Sequence, residues 1–322
     1  MKLTLSIRRY NPDSGTEEPS YIQPYDVDAK EGMTVLEALL YISDAVDPTL
    51  AFRKSCRSAI CGSCAVNING VARLACSTQL IPEWIKAGVL LVEPISNHTV
   101  LKDLVVDFIP FWKKMEKIKP YLLPAVEQGG ETTITQEAEK AIDRSQQCIM
   151  CGCCNAECNA LDIDKHFLGP AALAKAWRFV GDAREAGGKK RLGRLSDDHG
   201  MWDCVRCVRC VEYCPKDVAP LKAIEALRSR AMQENIRDNP GAKHVEALVN
   251  SVRRVGRLDE AAMTFKTIGF LRSLGMIPFG IKMELHGKMP MPLIFAQIKE
   301  IDEVRTIYEE AERLNSLPKT EK

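Results

Sequence analysis

The sequence predicts two fold classes in series: an α+β domain, then an all-α domain closed by a helical extension. Three observations predict it. Residues 3–9 alternate Leu3, Leu5 and Ile7 with Thr4, Ser6 and Arg8, the two-residue period of a half-buried strand. From Gln136 onward apolar residues recur at helical spacing. Twelve of the thirteen cysteines fall into three sets, one in the first hundred residues and two in the helical region.

Length and composition set the frame. A chain of 322 residues has room for two or three domains, each with its own core. A net charge of +1 points to neither nucleic acid nor an acidic surface as a partner. Thirteen cysteines in 322 residues are about 4%, below the roughly 8–10% of a disulfide scaffold. Met1 leads directly into a strand-like run, so no signal peptide is read. No apolar run reaches the roughly 18–20 residues of a membrane span. The nearest, Thr267–Leu285, is broken by Arg272, Pro278, Lys282 and Glu284. The chain is expected to be soluble by itself.

Taken in order, the strand at 3–9 is followed by a polar turn, Asn11–Ser20, and a second strand, Tyr21–Val27. Thr34 caps a helix that carries Val35, Leu36, Leu39 and Leu40. Ala65–Ile68 and Ala72–Leu74 form a hairpin around Asn69-Gly70, and Val89–Val92 is a last strand. Between helix and hairpin lie Cys56, Cys61 and Cys64, with Cys76 twelve positions further on. This is the C-x4-C-x2-C…C spacing of plant-type 2Fe–2S ligation. Gly62 leaves the backbone free to approach the cluster. Residues 1–105 are therefore read as a plant-type ferredoxin domain of β-grasp fold that binds a 2Fe–2S cluster.

Residues 106–240 are read as an alpha-helical, bacterial-type ferredoxin domain. Leu104–Leu123 looks helical and amphipathic, and Pro124–Thr135 looks like a linker. Leu173–Val180 and Ala223–Met232 are the clearest helices, and the basic run Gly187–Arg194 is expected to be a solvated loop. Cys204, Cys207, Cys210 and Cys214-Pro215 have the C-x2-C-x2-C-x3-C-P spacing in which the fourth cysteine serves the other 4Fe–4S cluster. Cys148, Cys151, Cys154 and Cys158 repeat it without the proline. One cluster is thus expected on Cys148, Cys151, Cys154 and Cys214, the other on Cys158, Cys204, Cys207 and Cys210. Zinc is the alternative occupant, although zinc sites usually present separated C-x2-C pairs. Cys153 is left over and is read as a small packed side chain.

Residues 241–322 hold no cysteine. Val245, Leu248, Val249, Val252 and Val255 mark one helical face; Ile298, Ile301, Val304, Ile307, Tyr308 and Ala311 mark another. A Lys-Met-Pro-Met-Pro segment (288–292) lies between them, and the extension is expected to dock a partner. No Gly-x-Gly-x-x-Gly follows a strand, no Walker loop is present, and the five histidines are scattered. Three one-electron centres without a hydride or substrate site describe a conductor whose chemistry is done by partners.

The order of these domains, with Ser55-Cys56-Arg57 through Cys64, Asp103–Asp107, Lys119-Pro120, Arg178–Arg184 and Cys214-Pro215-Lys216, resembles the iron–sulfur subunit of succinate dehydrogenase and fumarate reductase. The likeness covers residues 1–240. It implies a subunit of an oxidoreductase of the tricarboxylic acid cycle or of fumarate respiration, with no substrate chemistry of its own. By this resemblance, electrons would pass between a FAD-containing flavoprotein subunit and a quinone-linked membrane anchor. The subunit would be peripheral on the cytoplasmic side of the membrane, and periplasmic only if exported together with a partner.

Three departures from the common pattern refine this. Ala59 stands where many members have Gly. Cys207 stands where the commonest members lack Cys and hold a 3Fe–4S cluster, so a second 4Fe–4S cluster is expected here and 3Fe–4S is the alternative. Asn159-Ala160-Leu161 and Val205 replace the residues of the familiar quinone pocket. These resemble the less common branch whose anchor is a cysteine-rich protein similar to heterodisulfide reductase, and Val252–Leu258 resembles the small subunit of that enzyme. The alternative reading is the cluster subunit of a heterodisulfide-reductase-like or 2-hydroxyacid-oxidising complex. A further one is a non-redox protein with structural clusters.

Overall fold

The alternation at the N-terminus becomes strand β1 (Lys2–Tyr10), whose Leu3, Leu5 and Ile7 are buried. The computed structural model describes residues 1–13, 15, 20–124, 133–289 and 297–316. They divide into two compact units, Met1–Ala231 and Met232–Lys322.

In the first unit β1 pairs antiparallel with β2 (Ser20–Asp28), placing Leu5 opposite Tyr25. Helix α1 (Val35–Tyr41) opens on the expected Thr34 cap, and Glu37 completes a capping box: the Thr34 hydroxyl accepts from the Glu37 amide and the Glu37 carboxylate from the Thr34 amide. Strands β3 (Ala65–Ile68) and β4 (Val71–Leu74) form the hairpin. Its turn uses two left-handed residues, Asn69 at φ 50° and Gly70 at φ 82°, as a tight two-residue hairpin requires. The last strand, β5, is Leu91–Glu93, two residues later than Val89. The strand order β2-β1-β5-β3-β4, with β1 and β5 parallel and the other pairs antiparallel, makes a mixed sheet.

Two features of this half were not expected. Helix α2 (Leu80–Ala87) fills the gap between hairpin and last strand. Its Pro82 lies in the first turn, where a missing N–H costs nothing, and Gly88 ends it at φ 72°. The second feature corrects the helix expected over Leu104–Leu123. Only Ile109–Lys117 is helical; Val100–Lys102 and Val105–Val106 form a small antiparallel pair instead. Long-range contacts hold that chain extended. The buried Asp103 carboxylate accepts from Arg9 Nε at 2.9 Å and from the amides of Tyr10 and Ala51 at 3.0 and 2.8 Å.

The linker expected at Pro124–Thr135 lies largely outside the described residues. After it the unit is helical, with Gly169–Val180 and Pro220–Gln233 as its longest helices, each extending the expected one. The basic run is not a solvated loop. It forms the helix Gly188–Leu195, and Arg191 is buried, its guanidinium donating to the carbonyls of Ile118, Lys119 and Tyr121 and pairing with Glu185. One cation of the run thus closes carbonyl groups that a preceding helix end leaves open.

The second unit contains helices over Pro240–Val255, Glu260–Ile268, Phe270–Leu274, Ile277–Leu285 and Ile301–Ser316. Ala242, Ala247, Ser251, Val255 and Ile301 are buried, whereas Leu248, Val249 and Ile307 are exposed, so the buried face is rotated from the expected one. Residues 290–292 of the Met–Pro segment lie outside the described residues. Among the described residues no helix is long and apolar enough to cross a membrane.

Candidate metal centres

The first cysteine set occupies the loop between α1 and β3, with Cys76 following β4. Arg57, Ala59 and Gly62 take φ of 58°, 54° and 74°. Left-handed residues interleaved with right-handed ones turn successive amides to one side, which makes a concave nest for negative charge. The amides here point at sulfur. Ser58, Ile60 and Cys61 donate to Cys56 Sγ at 3.3–3.4 Å, Cys56 and Ser63 to Cys61 Sγ at 3.5 Å, and Ala59 to Cys76 Sγ at 3.2 Å. Burial works against a thiolate at Cys61, but hydrogen bonds from Ser63 and Cys56 outweigh it and bring the thiol down to about 6. Cys64 is buried, and that burial pushes its thiol up to about 12. A metal that takes the proton's place removes the cost of burying such a group. Ala59, at φ 54°, holds a left-handed conformation that glycine adopts without strain and alanine only at a cost.

The other two sets come together as expected. Cys148, Cys151, Cys154 and Cys214 line one narrow cavity with Ile149, Ala171, Ala174, Pro215 and Val218. Burial raises Cys154 well above its ordinary range, and the fields of Cys151, Cys148 and Cys214, together with that of Cys210, add to it. Burial likewise takes Cys210 to about 12, with Cys204, Cys158 and Cys207 contributing. Cys158 is raised by burial with help from Cys204 and Cys207. The eight cysteines of the two runs are thus close-set, with Cys154 of the one set also in the field of Cys210 of the other. Cys153 is fully buried in the same core as Cys64 and Cys151, a packed side chain as expected.

The donor sets suit iron–sulfur groups. Soft thiolates crowd one apolar cavity, and backbone amides aim at the sulfurs, as Val218 does at Cys214 Sγ (3.4 Å). The buried Nε of Arg209, next to Cys210, has no partner among the described residues, an orphan donor of the kind a cluster sulfide satisfies. The two cysteine runs also share a backbone device. Met150 (φ 56°) and Gly152 (φ 83°) flank Cys151; Arg206 (φ 57°) and Val208 (φ 70°) flank Cys207.

Two contacts join the centres. A Cβ on Gly62 would stand 2.8 Å from Cys151 Cβ, so the first loop and the first cysteine run touch at a glycine. Gly62 thereby serves the approach of two loops as well as its own. The second contact was missed from sequence. Glu157 is buried and accepts from the Ala72 amide of β4 at 2.7 Å, while its other oxygen pairs with Arg209 of the second run. The one available signal was an acidic residue set between two cysteines in the Cys-Asn-Ala-Glu-Cys stretch. His199, expected to be merely scattered, lies 2.7 Å from Asp164 and 4.0 Å from Asp203 in a group of which only Asp164 is not exposed.

Two family models match the chain: a 2Fe–2S iron–sulfur cluster binding domain over residues 4–113 and a 4Fe–4S dicluster domain over residues 144–218. The mitochondrial succinate dehydrogenase [ubiquinone] iron–sulfur subunit of Dictyostelium discoideum is 37% identical over 236 residues, 70% of this chain and 81% of that one. The 8-methylmenaquinol:fumarate reductase iron–sulfur subunit of Wolinella succinogenes is 32% identical over 290 residues, 88% of this chain and 89% of that one. A match of that extent runs into the C-terminal helices wherever it begins. Among solved structures, a chain of the Mycobacterium smegmatis Sdh1 complex in the apo form superposes with a TM-score of 0.65 at 24% identity, covering 74% of this chain and 98% of that one. That likeness concerns the fold.

Proposed function

We propose an electron-conducting role for this chain, which belongs to the family of succinate dehydrogenase and fumarate reductase iron–sulfur subunits. It is the electron-transfer subunit of such an oxidoreductase complex. Substrate chemistry falls to a FAD-containing flavoprotein subunit and quinone chemistry to a membrane anchor. The observation that carries this reading is the convergence of three cysteine quartets, two loops of which touch at Gly62 and Cys151.

In this reading residues 1–105 form a β-grasp domain with a 2Fe–2S cluster on Cys56, Cys61, Cys64 and Cys76. Residues 106–240 hold one 4Fe–4S cluster on Cys148, Cys151, Cys154 and Cys214, and a second on Cys158, Cys204, Cys207 and Cys210. Bound there, iron–sulfur groups supply reversible one-electron storage. The chain's own part is to fix their spacing, exclude water and set their surroundings. Cys151 and Cys154 are buried, while Cys61 and Cys207 reach the surface, which suits exchange of electrons with partners at the exposed centres and passage through the covered one. Residues 241–322 dock an anchor of the cysteine-rich kind. The exposed Phe270, Leu271, Phe279 and Leu285 supply an apolar surface for it, and the Wolinella match extends over these helices. The subunit would be peripheral on the cytoplasmic side.

Iron and sulfide analysis of anaerobically purified protein tests this reading. Roughly 2+4+4 iron atoms per chain are expected, with EPR signals on reduction. Zinc at the two C-terminal quartets, silent on reduction, would overturn it.

A further inference from the structure

We propose that Glu157 is a positioning residue of the electron relay. It locks the three cysteine-bearing segments together, and its charge, balanced by Arg209, sets the reduction potential of the centre on Cys158, Cys204, Cys207 and Cys210. The proposal rests on the reading of those cysteines as cluster ligands.

The geometry begins at an edge strand. β4 is the outer strand of the five-stranded sheet, and an edge leaves outward amides unpaired. Ala72 is 1% exposed, so water does not serve its N–H; Glu157 Oε1 accepts from it at 2.7 Å. Ala72 lies four residues before Cys76. Glu157 lies between Cys154 and Cys158, which belong to different quartets. Its Oε2 receives Arg209 Nη2, and Arg209 lies between Cys207 and Cys210. One carboxylate therefore ties the hairpin beside the first centre to both cysteine runs.

The charge has a second consequence. Glu157 is 6% exposed, and a buried charge is screened far less than one in water. Reduction adds negative charge to a cluster, so a nearby carboxylate opposes it and a nearby guanidinium favours it. Arg209 sits within the field of Cys207, and its buried Nε has no partner among the described residues. The pair is close to neutral as a unit, so removing one member leaves the other uncompensated.

EPR-monitored redox titration of the anaerobic full-length protein separates this from simple bracing. Glu157→Gln keeps an oxygen for the Ala72 amide and should shift the midpoint of the centre on Cys158, Cys204, Cys207 and Cys210 upward. Arg209→Gln should shift it downward, Arg209→Lys should hold it near wild type, and the double Gln variant should return toward wild type. Hydrogen exchange at the Ala72 amide should accelerate in Glu157→Ala and much less in Glu157→Gln. The Arg209 side chain is 40% exposed, so its variants carry the test even if Glu157→Gln assembles poorly. Unmoved midpoints in single variants with full iron content would overturn the role of Glu157 while leaving the relay intact. Absence of any centre on the Cys158 quartet in wild type would overturn both.

Discussion

The two cysteine runs have the same spacing but different surroundings. In the first, Cys151, Cys153, Cys154 and Cys158 are all buried, and the left-handed turn after Cys151 falls on Gly152, packed under Phe108 and Ile95. In the second, Val205, Cys207 and Val208 are exposed, and the equivalent left-handed turn falls on Val208 at φ 70°. A β-branched residue with positive φ is a strained choice. The spacing places sulfurs, whereas the neighbourhood decides how each run tolerates change. The buried run is built into a core, and the exposed run accepts strain at the surface, where loops carry function.

The largest effect should come from removing the middle cysteine of each run. A cubane that loses the ligand of one corner loses that iron, so Cys207→Val should convert the second centre to 3Fe–4S, with its oxidised-state EPR signal and a higher potential. Cys151→Val, at the equivalent buried position against Gly62, should instead lower total iron content and soluble yield. A strong 3Fe–4S signal in anaerobic wild type, unchanged by Cys207→Val, would show that Cys207 is not a ligand and break the parallel between the runs.

Next in size is the exchange of Gly152. Gly152→Val places a Cβ about 3.2 Å from the Phe108 ring at φ 83°. Strain and overpacking together should cost roughly 2–4 kcal/mol, read as a fall in thermal midpoint of the holoprotein. Equal melting of variant and wild type would mean that the first run is not as tightly held as its burial indicates.

A buried ion-pair brace closes the helix that follows the first run. Asp182, with a fully buried side chain, accepts from Arg178 and from three groups of Arg184 at the end of helix Gly169–Val180. Hydrogen bonding by Arg184 is the main influence holding its carboxyl well below the usual range. A depressed folded-state pKa stabilises the fold above the unfolded value of about 3.9 and loses that contribution as pH falls through the folded one. Asp182→Asn should therefore cost roughly 2–3 kcal/mol at pH 7, with a difference from wild type that shrinks only below about pH 4. Urea unfolding at pH 7 and pH 5 should show nearly the same difference; one that vanished by pH 5 would contradict the depressed pKa.

The smallest effect sharpens the comparison from the other side. Val208→Gly should relieve the left-handed strain but add freedom to the unfolded chain, for a net gain of about 0.5–1 kcal/mol without change in cluster content. A loss of stability would mean that the Val208 side chain packs more usefully than its exposure indicates.

Much of this protein was legible because it is local. Metal ligands at fixed spacing, the Asn69-Gly70 turn and the Thr34 cap are matters of a few bonds, and each lies where its spacing places it. The two-residue strand Val105–Val106 could not be read that way. A short apolar run fits helix or strand equally well, and Asp103, reached by Arg9 from 94 residues away, decides between them. Arg191 looked like one more solvated cation because sequence does not show the carbonyls of Ile118, Lys119 and Tyr121 converging on it.

Spacing alone sorts twelve cysteines into three sets, puts an α+β half before a helical one, and points to the family. Only the folded chain shows that Gly62 abuts Cys151, that Cys207 is exposed where its counterpart Cys151 is buried, and that Glu157 joins Ala72 to Arg209 across 85 and 52 residues. The reason is physical. Coordination and turn chemistry act over a few covalent bonds and leave a mark in spacing, whereas burial and long-range hydrogen bonds depend on which surfaces meet once the whole chain has collapsed.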